Sequence, residues 1–95
     1  MRIKVLYLGL VRNKIGKKEE SCELADGSSL SDLLKRVAET YGGSLKGLFR
    51  AEMESRLDPT FIVTVNGVLK DPSKGEAVPL ADGDTVALMT LISGG

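Results

Sequence analysis

An α+β domain, with a mixed sheet of about five strands gripping one main helix, is what this 95-residue chain predicts. Three observations carry that expectation. Leu30, Leu33, Leu34, Val37, Ala38 and Tyr41 recur at helical spacing and put one apolar stripe on a helix over about residues 29–41. Runs rich in Val, Ile and Leu stand on both sides of it in the sequence. Asn66-Gly67, between Phe61-Ile62-Val63-Thr64-Val65 and Val68-Leu69-Lys70, is the favoured two-residue hairpin turn.

The elements follow in order. Residues 2–11 read as the first strand, and Gly16 with its lysine neighbours as a turn. Residues 19–24 alternate polar and apolar as a half-exposed second strand that includes Cys22. Asp26-Gly27 turns the chain, Ser28 or Ser29 supplies the N-cap of the main helix, and Gly42-Gly43 ends it. Leu45, Leu48, Phe49 and Met53 have helical spacing ahead of Asp58-Pro59, so a short second helix or helical turn is expected within residues 44–58. After the hairpin, residues 71–77 are polar and turn-rich, and Asp82-Gly83-Asp84 leads into the final strand, residues 85–92. No repeat or linker divides the chain, so residues 1–95 form one domain. Two strands, a helix packing back over the sheet by a right-handed crossover, then three more strands give the ubiquitin-like β-grasp arrangement. That arrangement alone specifies no function.

Composition removes several function classes. Thirteen basic and thirteen acidic residues cancel, and no basic cluster interleaves with the four aromatics, so a nucleic-acid groove is unsupported. There is no histidine and one cysteine, which leaves out a self-contained Ser–His or Cys–His hydrolase and an imidazole–thiolate metal site. No metal or cofactor is expected on this chain. Cys22 reads as a packing residue rather than a reactive thiol. A single cysteine makes no disulfide within the chain, no signal peptide is visible and no 18-residue apolar run exists, so the expected location is cytoplasmic, with no membrane contact.

Two features remain to be absorbed. The first strand carries more apolar side chains than one helix can cover: Ile3, Val5 and Tyr7 share one face, while Leu6, Leu8 and Leu10 share the other with Lys4. The last strand repeats the surplus, with Val86 and Leu88 on one face and Ala87, Met89 and Leu91 on the other, and Leu69 can join the second set. An apolar face left open in this way marks a partner site, unless residues 44–58 fold back over it. The second feature is the ending, Ser93-Gly94-Gly95, directly after that strand. Glycine has no Cβ, so Gly94 can thread a channel too narrow for side chains and present the Gly95 carboxylate inside a neighbouring active site.

Together, Ile3-Lys4-Val5-Leu6-Tyr7 with Val11-Arg12, the Val65-Asn66-Gly67 hairpin, Leu80 to Leu88 and the terminal Gly94-Gly95 resemble the small sulfur-carrier subunit of molybdopterin synthase. The likeness runs along nearly the whole chain. It departs at residues 44–58 and 71–78, where this chain is longer than compact members, and at Met89-Thr90-Leu91-Ile92, where many relatives have a Pro-Pro step. The resemblance implies a substrate protein, non-catalytic alone. A ubiquitin-activating-type enzyme would adenylate Gly95 with ATP and Mg2+, and a sulfur donor would convert it to a thiocarboxylate. The molybdopterin synthase large subunit, in a heterotetramer with this chain, would then pass the sulfur to a pterin precursor. It also implies a docking patch of Leu8, Leu69 and Met89, beside Leu6 and Leu91 from the face count, with Arg12 at its rim. Carriers for thiamin thiazole or tRNA thiolation share the tail chemistry, a protein modifier would join Gly95 to lysines, and a plain β-grasp interaction module would not use the tail. Those alternatives stay open at the level of sequence.

Overall fold

A computed structural model describes residues 1–42 and 61–90. Five strands form one sheet: β1 (Arg2–Tyr7), β2 (Glu19–Glu23), β3 (Phe61–Val65), β4 (Val68–Lys70) and β5 (Thr85–Thr90), in the spatial order β2-β1-β5-β3-β4. The central pair β1–β5 is parallel and every other pair is antiparallel. Alternation then sorts the side chains. Ile3, Val5, Tyr7, Val63, Val65, Val86 and Leu88 are buried on one face. Against them lie Leu30, Leu33, Leu34 and Val37 of the main helix, α2 (Leu30–Tyr41), in one hydrophobic cluster. The helix begins where the sequence says it should. Ser29 Oγ accepts from the Asp32 amide, and the Asp32 carboxylate accepts from the Ser29 amide at 2.8 Å, so the two residues cap each other.

The first strand is shorter than its composition implies. It stops at Tyr7, and residues 9–15 form a helix, α1 (Gly9–Ile15), rather than more strand. Gly9 is the reason: at φ +56° the backbone leaves the extended region and swings out of the sheet, a conformation that favours glycine. Val11 then drops into the core at 1% exposure, Ile15 packs four residues on, and Gly16 closes the helix in the left-handed region with its N–H on the Arg12 carbonyl at 2.8 Å. Leu10, placed on the strand by the sequence, and Arg12, placed just past its end, are therefore helical residues.

The second crossover is tied to the helix start. The Leu30 amide donates to the Val78 carbonyl at 2.8 Å and the Leu80 amide to the Ser28 carbonyl at 3.1 Å. Between the hairpin and this strap, the polar stretch forms a 3-10 helix, Pro72–Ala77, whose Gly75 is buried against the Ser31 backbone. At the hairpin, Asn66 (φ +52°) and Gly67 (φ +83°) supply the two left-handed residues that a tight turn of the right twist requires. The second helix expected within 44–58, its folding back over the open face, and the end of the last strand beyond Thr90 lie outside the described residues.

Candidate docking face and carboxyl-terminal tail

The face of the sheet opposite α2 can be built row by row from the registers. Leu6 pairs with Ala87, Ala87 with Thr64, and Thr64 with Leu69, so these four form one row across β1, β5, β3 and β4. The next row is Met89 beside Ile62. Leu8 remains extended after β1, and its amide donates to the Leu88 carbonyl at 3.0 Å, which carries the same alternation forward and sets Leu8 by Met89. Leu8 is 40% exposed and Leu69 67%, while Leu6, Ile62, Ala87 and Met89 are half-buried.

The other end of the same face is ionic. Arg2 Nε meets Glu23 at 2.8 Å and Lys4 Nζ meets Glu19 at 3.6 Å, all four well exposed. The face is thus apolar toward the carboxyl end of β5 and charged toward its start. Polar chemistry at that start is structural: the Asp84 carboxylate accepts from Asn66 Nδ2 at 3.0 Å and from the Ala81 amide at 2.8 Å. Those two bonds hold its carboxyl below the usual range.

Leu6, Leu8, Leu69 and Met89 are therefore brought onto one face, as their spacing predicts. Arg12 sits exposed on α1, outside the sheet, and the registers do not bring it onto this face. Leu91, Gly94 and Gly95 lie outside the described residues. One apolar residue that sequence reasoning missed joins the surface. Ile62 was legible, because Ile62 and Val63 are adjacent apolar residues in a strand and must face opposite ways. Val68, 56% exposed at the hairpin tip, pairs with Val65 and so belongs to the helix side of the sheet, not to this surface. Among the described residues no group of three or more His, Cys, Asp or Glu could hold a metal ion. Burial pushes the half-buried Cys22 thiol up, away from thiolate chemistry. No helix of the described residues is long and apolar enough to cross a membrane. What the site offers is a greasy platform on the strand that leads to the glycine tail.

Comparison with known proteins fixes the family. The model of the ThiS family matches residues 5–95. The chain belongs to that family. It is 33% identical, over all 95 residues and the whole of the relative, to a molybdopterin synthase sulfur carrier subunit from Chlamydomonas reinhardtii. Among solved structures, SAMP1 from Haloferax volcanii covers the whole of both chains at TM-score 0.82 and 19% identity. A chain in the complex of subunits 1 and 2 of molybdopterin-converting factor from Helicobacter pylori covers the whole of both at TM-score 0.62 and 21% identity. At those identities the two structures speak for the fold. This ThiS-family chain is a ubiquitin-like β-grasp protein of the sulfur-carrier type.

Proposed function

We propose that the protein is the sulfur carrier of molybdenum cofactor biosynthesis, the small subunit of a molybdopterin synthase. The observation that carries this reading is the full-length likeness to a molybdopterin synthase sulfur carrier subunit, in a chain whose Leu6, Leu8, Leu69 and Met89 share one face leading to Gly94-Gly95. A carboxyl terminus has a pKa of about 3.3–3.7, so at neutral pH Gly95 is an anion able to attack the α-phosphorus of ATP. In an adenylating partner that uses Mg2+, the attack releases pyrophosphate and leaves an acyl-adenylate. A sulfide-level donor then displaces AMP, and the tail ends in a thiocarboxylate. The synthase large subunit grips the apolar face, takes the tail into its own active site and receives the sulfur for a pterin precursor. Leu6, Leu8, Leu69, Met89 and Leu91 supply the grip, Arg12 borders it, and Gly94 gives the tail its slender cross-section.

The test is intact mass after incubation with an adenylating enzyme, ATP, Mg2+ and a sulfur source, followed by addition of the synthase large subunit and the pterin precursor. Exchange of one oxygen for sulfur at Gly95, reversed when the dithiolene product forms, is the expected result. Stable lysine adducts through Gly95 in place of that exchange would overturn the reading in favour of a protein modifier.

A further inference from the structure

On the helix side of the sheet one polar cluster takes no part in the docking or the tail chemistry. The half-buried Glu20 carboxylate accepts from Tyr7 Oη at 2.5 Å and from Tyr41 Oη at 2.6 Å on the same oxygen. Its other oxygen accepts from Lys17 Nζ at 3.1 Å. The two rings meet edge to face, with centroids 6.1 Å apart, and the Lys17 ammonium stands 5.7 Å from the Tyr41 ring centre. Burial alone pushes the Glu20 carboxyl up, but the two phenols and the ammonium outweigh it and hold the group below its ordinary range. Half-burying a carboxylate costs stability unless such donors are present, and an apolar side chain at position 20 would pack against two aromatic rings without that cost.

The four members come from four segments that meet at the carboxyl end of β1. Tyr7 is the residue before Leu8 and the last of β1; Lys17 follows the helix that Leu8 opens; Glu20 is on β2; Tyr41 is the last residue of α2. Tyr7 points into the core while Leu6 and Leu8 on either side face the open surface, so fixing the Tyr7 side chain from below fixes both neighbours above. From these contacts we infer that Glu20 is a positioning residue for docking: it clamps Tyr7 to Tyr41 and Lys17, and so holds Leu8 at the height and angle that a partner meets. This rests on the docking reading above. It assigns to a residue that touches no partner a share in partner affinity.

The experiment compares full-length wild type with Glu20→Ala, and with Leu24→Ala at the far end of β2 as a control that weakens the fold without touching the clamp. Two quantities are read in each. One is amide exchange at Leu8, bonded to Leu88, against that at Lys4, bonded to Asp84 at the other end of β1. The other is the Kd for a molybdopterin synthase large subunit. Glu20→Ala is expected to speed exchange at Leu8 more than at Lys4 and to weaken Kd by about 2–30-fold, the range seen when coupling passes through packed neighbours. Leu24→Ala, which loosens the start of β1 where the Leu24 amide meets the Met1 carbonyl, is expected to speed exchange at Lys4 at least as much as at Leu8 and to leave Kd as in wild type. If Glu20→Ala does not fold, Tyr41→Phe keeps the ring, removes one donor and gives the same signs at smaller size. Equal acceleration at Leu8 and Lys4, or an unchanged Kd, overturns the inference. Failure of the wild type itself to bind would remove the docking reading and the positioning role with it, while the exchange ratio would still report whether the clamp holds Leu8.

Discussion

Truncating Leu69 to alanine separates binding from folding in a way the structure makes quantitative. Fully burying a leucine side chain is worth about 1.5–3 kcal/mol. Leu69 keeps 67% of its surface in water in the free chain, so about 1–2 kcal/mol of that is still to be gained when a partner covers it, and only about 0.5–1 kcal/mol has been used in folding. At about 1.4 kcal/mol per tenfold, Leu69→Ala should weaken docking roughly 5- to 30-fold while lowering Tm by only a few degrees. Leu88 is the opposite case. It is 0% exposed and turned to α2, so Leu88→Ala should cost about 2–5 kcal/mol of stability and touch no partner directly. Titration calorimetry with the synthase large subunit, paired with thermal melts of each variant, reads both quantities. A Leu69→Ala variant that melts far below wild type yet binds normally would refute the assignment of this face to a partner, because it would place Leu69 in the fold's own interior.

Three further outcomes concern the scaffold. Gly75→Ala would set a Cβ 2.9 Å from the Ser31 backbone nitrogen, which has no side-chain freedom with which to yield, and should destabilise by about 1–3 kcal/mol in urea unfolding. Ser29→Ala removes half of the mutual cap on α2 and should cost about 0.5–2 kcal/mol in the same assay. Asp84 has a folded pKa below its unfolded value, chiefly through the Asn66 side chain and then the Ala81 amide. Its contribution is therefore present above the unfolded pKa and disappears as pH falls through the folded one. A urea midpoint followed downward from pH 6 should fall less steeply in Asn66→Ala than in wild type, and identical pH profiles would show that the bond contributes nothing.

What the sequence made legible was what short-range rules govern. The stripe from Leu30 to Tyr41 announced α2 because one face of a helix must be apolar to be covered by a sheet. Asn66-Gly67 announced the hairpin because few other residue pairs adopt two left-handed conformations in succession. The docking face was legible through strand parity once the apolar surplus at Leu6, Leu8 and Met89 was counted. The early helix was not. Residues 9–11 are Gly, Leu and Val, Leu8 makes no side-chain cap, and seven residues are too few for propensity to decide. Val11 and Ile15 at i, i+4 ahead of Gly16 were the only signal, and the burial of Val11 against the sheet made the choice. The Tyr7–Glu20–Tyr41 cluster was beyond any local rule, since its bonds join residues 13 and 21 apart.

The placement of the platform also limits what a partner can look like. β5 is the central strand, hydrogen-bonded on both sides, to β1 and to β3, so the chain leaves the sheet from its middle rather than from an edge. Gly95 comes five residues after Thr90, and an extended chain of that length reaches about 17–18 Å at most. Met89 and Leu8 stand at the root of that reach. Under the function proposed above, a partner that covers them would have its active site within the same distance of the covered face, a limit that an activating enzyme and a sulfur acceptor would share. Two enzymes of different chemistry would then share one footprint and could not hold the carrier together. Turnover requires that neither hold it long, which argues for a platform of half-buried side chains, such as Leu6, Ile62 and Met89, over one made wholly of protruding ones.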